Sequence, residues 1–116
     1  MSEIFTKTRG DYIEIRASAT NIDPTQGKAF FTLKRSLSDP DSAAIVRKTT
    51  GGGGITVEGE EFICDLTHAD TKNLPDDVLD SELAWDVRYR DPDGRPFTLR
   101  KGRLILVPEI TRDPMV

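Results

Sequence analysis

Glu82-Leu83-Ala84-Trp85-Asp86-Val87-Arg88-Tyr89-Arg90 decides the fold class. Leu83, Trp85, Val87 and Tyr89 fall on one parity, and Ala84, Asp86, Arg88 and Arg90 on the other. A strand points successive side chains to opposite faces, so this alternation predicts a strand with one buried and one wet face. Shorter stretches repeat the pattern on either side. Tyr12 to Ala17 sets Ile13 and Ile15 against Glu14 and Arg16, and Lys28 to Arg35 sets Ala29, Phe31 and Leu33 against Phe30, Thr32 and Lys34. Glu60 to Leu66 sets Phe62, Cys64 and Leu66 against Glu61, Ile63 and Asp65, and Ala43 to Lys48 is a shorter candidate. In Phe97 to Val107 the apolar parity switches between Leu99 and Leu104. One extra residue flips the facing of a strand, so a β-bulge or a break is predicted at Lys101-Gly102.

The spacers carry turn chemistry: Asp23-Pro24-Thr25-Gln26-Gly27, Asp39-Pro40-Asp41-Ser42, Gly51 to Gly54, and Asp91-Pro92-Asp93-Gly94. In the last, Pro92 presets φ and Gly94 takes positive φ without steric cost, so Tyr89 and Phe97 should flank a hairpin. Thr67-His68-Ala69-Asp70 has the form of a capping box, with Pro75 beyond it and Leu66, Ala69 and Leu74 as anchors. One short helical turn is expected near 67–73. Seven to eight short strands with this punctuation predict an all-β sandwich or barrel, and an antiparallel β-sandwich filling a single domain over 1–116 is the expected form.

Composition excludes several classes of function. The 116 residues suit one domain with a modest core. Sixteen basic and twenty acidic side chains leave a net charge of −4, with no long basic run. Nucleic acid and anionic membranes both require concentrated positive charge, so neither is an expected partner. The one cysteine permits no intrachain disulfide, and the one histidine permits no multi-imidazole metal site. Apolar runs are no longer than Leu104–Val107, far short of a membrane span. The start, Met1 to Lys7, lacks the apolar core of a signal peptide, so the expected compartment is a cytoplasm.

Candidate chemistry is sparse. Gly51 to Gly54 lacks the Gly-Lys-Ser/Thr ending of a phosphate loop, and Ile55-Thr56-Val57 continues as strand. Asp76, Asp77, Asp80 and Glu82 lack the central glycine of a calcium loop and read as a solvated segment. Asp91 and Asp93 read as turn formers. Cys64 shares a parity with Phe62 and Leu66, so it reads as a buried, inert thiol, and no dyad with His68 is expected. No spacing singles out a carboxylate pair for glycosidase chemistry. Trp85 and Tyr89, flanked by Leu83 and Val87, read as core. An alternative function, a carbohydrate or host-surface ligand module, would need them exposed. Arg88, Arg90, Arg95, Arg100, Lys101 and Arg103 form the one locally basic feature, around the last hairpin, and are the candidate contact surface for an acidic partner chain. Residues 1–10 and 108–116 read as extended arms that could add a strand to a neighbour or close a ring of subunits.

Beyond composition, an ordered set of residues carries a resemblance. Thr8-Arg9-Gly10-Asp11 is followed by Phe31-Thr32-Leu33-Lys34-Arg35-Ser36-Leu37-Ser38-Asp39-Pro40-Asp41 and by Gly54-Ile55-Thr56-Val57. Then come Leu66-Thr67-His68-Ala69-Asp70-Thr71 with Leu74-Pro75, Trp85-Asp86-Val87, and Asp93-Gly94 with Thr98-Leu99. Gly102-Arg103-Leu104, Pro108 and Ile110-Thr111-Arg112 end the series. In this order the chain resembles small structural proteins of tailed bacteriophages and prophages, and is similar to the immunoglobulin-like module at the N-terminus of phage baseplate upper proteins. The resemblance implies an immunoglobulin-like sandwich with no cofactor and no catalysis. It implies a virion component, assembled in the host cytoplasm, whose partners are other tail or baseplate proteins or further copies of itself. Baseplate upper proteins continue into a long helical or receptor-binding extension, and for this chain the resemblance leaves two forms open, a free adaptor or decoration protein or an isolated module with another role.

Overall fold

A computed structural model of the chain describes residues 3–19 and 26–110. Among the described residues there are eight strands: β1 Glu3–Thr8, β2 Ile13–Ser18, β3 Lys28–Lys34, β4 Val46–Thr49, β5 Ile55–Glu58, β6 Glu61–Leu66, β7 Glu82–Arg90 and β8 Pro96–Val107. They form a five-stranded sheet in the order β1-β8-β7-β3-β4 and a three-stranded sheet in the order β2-β6-β5. The inward parities meet between them. Ile13, Ile15, Phe62, Cys64 and Leu66 of the small sheet face Phe31, Leu33, Trp85, Val87, Tyr89 and Leu104 of the large one, all at most 3% exposed. No helix among the described residues is long and apolar enough to cross a membrane.

The alternation in Glu82–Arg90 holds except at Ala84, which is buried although it lies on the outward parity, and β7 becomes an interior strand between β3 and β8. The β7–β8 hairpin closes as its turn residues require. Asp91 N–H donates to the Arg95 carbonyl (3.0 Å), Gly94 N–H donates to the Asp91 carbonyl (2.9 Å), and Gly94 takes φ +86°. The Asp91 carboxylate also accepts from the Asp93 and Arg95 amides, at 3.0 and 2.8 Å. Of the first spacer, 23–27, residues 23–25 lie outside the described residues.

Three expectations shift. The extra residue in β8 is Leu99, not a member of Lys101-Gly102. The register skips it, pairing Val87 with Arg100 and Arg88 with Thr98. Gly102 instead sits directly opposite Trp85. A Cβ there would come within 2.6 Å of the Glu3 carbonyl oxygen and 2.7 Å of Trp85 Cζ2. The glycine is therefore a space requirement of the indole and of β1. Second, the arm expected over 1–10 is a strand for residues 3–8. β1 runs parallel to β8, from Glu3 opposite Gly102 to Thr8 opposite Val107, whereas the other strand pairs among the described residues are antiparallel. An unpaired β8 edge would leave a row of backbone groups unsatisfied, and β1 covers it. Of the other arm, Pro108, Glu109 and Ile110 are described and 111–116 are not. Third, the segment read as strand from Ala43 begins only at Val46, because Pro40 (φ −70°) opens a 3₁₀ turn over Asp41–Ala43.

The helical turn, α1 (His68–Lys72), carries the reciprocal capping box. The Asp70 amide donates to Thr67 Oγ1 (3.2 Å), and the Thr67 amide to the Asp70 carboxylate (2.8 Å). Such a cap contributes about 1 kcal/mol. Ala69 faces solvent rather than the core, and Thr71 is buried in its place, accepting from the Gly10 amide (2.9 Å) and donating to the Asp11 carbonyl (2.8 Å). A second 3₁₀ turn, Asp76–Val78, buries Val78.

Glu109 ties this end of the sandwich together. Its side chain is 7% exposed and holds Lys72 Nζ at 2.7 Å and Arg9 Nη2 at 3.1 Å, while Arg9 also pairs with Asp76. Lys72 first, then the backbone amide of Glu109, then Arg9 lower its carboxyl from 4.5 to about 2. The folded value lies below the unfolded one, so this contribution is fully present above pH 4.5 and is lost as pH falls toward about 2. Urea denaturation between neutral pH and about pH 3 should show this loss, and Glu109→Gln should flatten the acid limb while lowering stability at pH 7.

Candidate functional site

The outward parity of the large sheet builds the site. β7 presents Ala84, Asp86, Arg88 and Arg90, and β3 presents Phe30, Thr32 and Lys34. Register then assembles rows across four strands. Lys101 of β8 lies opposite Asp86, Asp86 opposite Thr32, and Thr32 opposite Arg47 of β4. The next row is Thr98, Arg88, Phe30 and Thr49, and on the other side Arg103 faces Ala84, which faces Lys34. Leu37 and Asp41, from the loop between β3 and β4, raise one rim, and Pro96 lies toward the hairpin. The result is a groove of about 410 Å³.

Six cations line it, Lys34, Arg47, Arg88, Arg90, Lys101 and Arg103, against two carboxylates, Asp41 and Asp86. That leaves an excess of four positive charges on a chain of net −4. Few of the cations are neutralised. Lys34 pairs with Asp41 (2.8 Å), and Arg103 approaches Glu82 (3.9 Å). Arg90 lies over the Phe30 ring at 5.4 Å. Arg47, Arg88 and Lys101 make no ion pair or hydrogen bond among the described residues. Asp86 is half-buried at the centre. Burial pushes its carboxyl above the ordinary range, although Arg88, Lys34 and Lys101 pull the other way. Guanidinium and ammonium groups held without partners can take carboxylates or phosphates, the guanidiniums in two-bond geometry.

The six basic residues singled out around the last hairpin therefore divide. Arg88, Arg90, Lys101 and Arg103 line the groove. Arg95 closes its own turn on Asp91 (2.8 Å) and Asp93 (3.3 Å). Arg100 points away from the groove, because the skipped Leu99 changes the facing of β8. It pairs with Glu3 (2.6 Å), donates to the Arg16 carbonyl (2.6 Å) and lies over the Phe5 and Trp85 rings at 5.5 and 5.7 Å. Lys34 and Arg47 complete the groove from distant sequence. The outward parity of β3 was visible, but nothing local says that β3 pairs with β7.

The remaining candidates behave as packing and turn residues. Trp85 and Tyr89 are 3% and 1% exposed, so neither offers a sugar platform. Burial pushes the Cys64 thiol up to about 12, which leaves it protonated and unreactive. His68 Nδ1–H donates to the Gly10 carbonyl (2.6 Å), and His68 does not line the groove. Asp76 and Asp77 pair with Arg9 and Arg35. Among the described residues no cluster of His, Cys, Asp and Glu could hold a metal.

No protein-family model matches this chain, and no curated protein matches it. Among solved structures it is similar to the NK cell receptor Nkp44, a triggering partner in natural cytotoxicity, with a TM-score of 0.58 and 12% identity. The likeness covers 94% of this chain and 99% of that one. At that identity it shows the fold alone, an immunoglobulin-like β-sandwich.

The two neighbours on β8 should separate in their effects. Arg100→Ala should lower stability by about 1–3 kcal/mol, because it strips contacts to β1, β2 and two rings. Lys101→Ala should change it by less than about 0.5 kcal/mol. Thermal denaturation followed by circular dichroism measures both.

Proposed function

We propose that this chain is a non-enzymatic immunoglobulin-like module that acts by protein–protein contact in the tail or baseplate of a bacteriophage or prophage particle. The observation that carries the contact role is the groove on the large sheet. It combines unpaired arginines, a half-buried carboxylate and apolar side chains, Phe30 beside Arg88 and Leu37 at the rim. Arginine and aromatic side chains at the centre of a concave face are what binding surfaces use for affinity. The occupant that suits it is an acidic segment of another protein chain. A patch this small, on a chain with net negative charge, falls short of the continuous basic stripe that nucleic acid requires. The ordered residues from Thr8-Arg9-Gly10-Asp11 to Ile110-Thr111-Arg112 support the particle setting by resemblance, which the fold by itself does not select.

Peptide mass spectrometry of purified, induced particles tests this reading. The chain should be present at fixed stoichiometry, and the folded Arg88→Glu/Lys101→Glu variant should be depleted. Absence of the wild-type chain would overturn the particle setting, and undiminished incorporation of the variant would overturn the role of the groove.

A further inference from the structure

The other outer face has the opposite charge. On the small sheet the outward residues are Glu14 and Arg16 of β2, Glu61, Ile63 and Asp65 of β6, and Thr56 and Glu58 of β5. A single guanidinium serves most of the carboxylates. Arg16 holds Glu14 at 2.5 Å, Glu61 at 3.1 Å and Glu58 at 3.7 Å. Asp65 accepts from the Tyr12 hydroxyl, which pushes that phenol up to about 12. Four carboxylates against one arginine leave an excess of three negative charges. The groove on the opposite side carries an excess of four positive ones.

We infer that the acidic segment taken by the groove belongs to a second copy of this chain, whose Glu14–Glu58–Glu61–Asp65 face docks on the Arg88–Lys101–Arg47 face. The inference rests on the protein-contact reading above and names the partner. Its physical basis is that the two faces point in opposite directions across the core. The sheets of a sandwich pack about 10 Å apart, so no side chain of one outer face can reach the other. The complementary charges can meet only between molecules. Apolar surface accompanies the charge on both sides, with Tyr12 exposed beside Asp65 and Leu37 exposed at the groove rim. Such a contact is heterologous: a docked pair still presents one free face of each sign, the groove on one copy and the acidic face on the other. Repetition therefore gives a closed ring if the rotation between copies closes, and a filament if it does not.

Sedimentation velocity tests it. The wild-type chain should associate at about 20 mM salt and dissociate at about 0.5 M, because the Debye length shrinks several-fold. Arg88→Glu/Lys101→Glu cancels the positive excess of the groove, and Glu14→Lys/Glu58→Lys turns the opposite face basic. Each should weaken self-association by about tenfold or more, and an equimolar mixture of the two should restore it. Circular dichroism confirms that each variant is folded, and Glu14→Gln/Glu58→Gln gives a milder second variant of the acidic face. Three results would overturn the inference: a wild-type monomer at low salt, association indifferent to both reversals, or a folded mixture that stays monomeric. A wild-type monomer whose particle incorporation still requires Arg88 and Lys101 would assign the groove to another virion protein, leaving the broader reading intact.

Discussion

The contact between the Trp85 indole and the bare backbone of Gly102 holds the large sheet in its form. Trp85 stacks on Phe5 at 5.8 Å with the rings 7° from parallel, and on Phe31 at 6.1 Å and 30°. These rings sit on β7, β1 and β3, so one cluster links the β1 edge of the sheet to its middle strands. Any side chain at position 102 would collide with the indole and with the Glu3 carbonyl. The arrangement leaves Trp85 Nε1 buried with no acceptor among the described residues. That forfeits about 1–3 kcal/mol. Stacking and the burial of a large apolar ring offset it. Arg100 closes the cluster from the side, and its pairing with Glu3 holds β1 in register.

The basic residues fall into two kinds by what their charge meets. Arg9, Arg16, Arg95 and Arg100 are held by carboxylates or carbonyls of this chain, and they stitch termini, turns and sheets together. Arg47, Arg88 and Lys101 stand on one wet face with no such partner among the described residues. Solvation stabilises isolated charges on an exposed face, so the fold does not require them to be paired. The same solvation is what a docking carboxylate must displace, which makes such a contact salt-sensitive and orientation-specific rather than tight by area.

Local sequence determined the sandwich. Leu83, Trp85, Val87 and Tyr89 on one parity can be satisfied only by a buried sheet face, and Thr67 with Asp70 only by a helix start, because both patterns act over a few residues. The burial of Cys64 and Trp85 follows from the same parity. Where the extra residue of β8 sits was not legible. Leu99 and Lys101-Gly102 switch parity equally well, and only the space demanded by Trp85 against Gly102 chooses between them. β1 was hidden for a related reason. Its burial pattern is mostly exposed, so it leaves no alternation to read, and its place comes from the free edge of β8.

Of the six groove cations, four were legible. Arg88, Arg90, Lys101 and Arg103 carry outward parity in the sequence, but Arg100 differs from Lys101 by one residue and faces the opposite way. Lys34 and Arg47 enter through the pairing of β3 with β7 and β4, at sequence separations where local patterning has no reach. The sequence by itself determined that the chain is an all-β sandwich with inert cysteine and buried tryptophan, because side-chain parity and turn chemistry are local. Only the tertiary structure decided which charges share a face and that the two outer faces differ in sign, because strand register, not chain order, sets which side chains become neighbours.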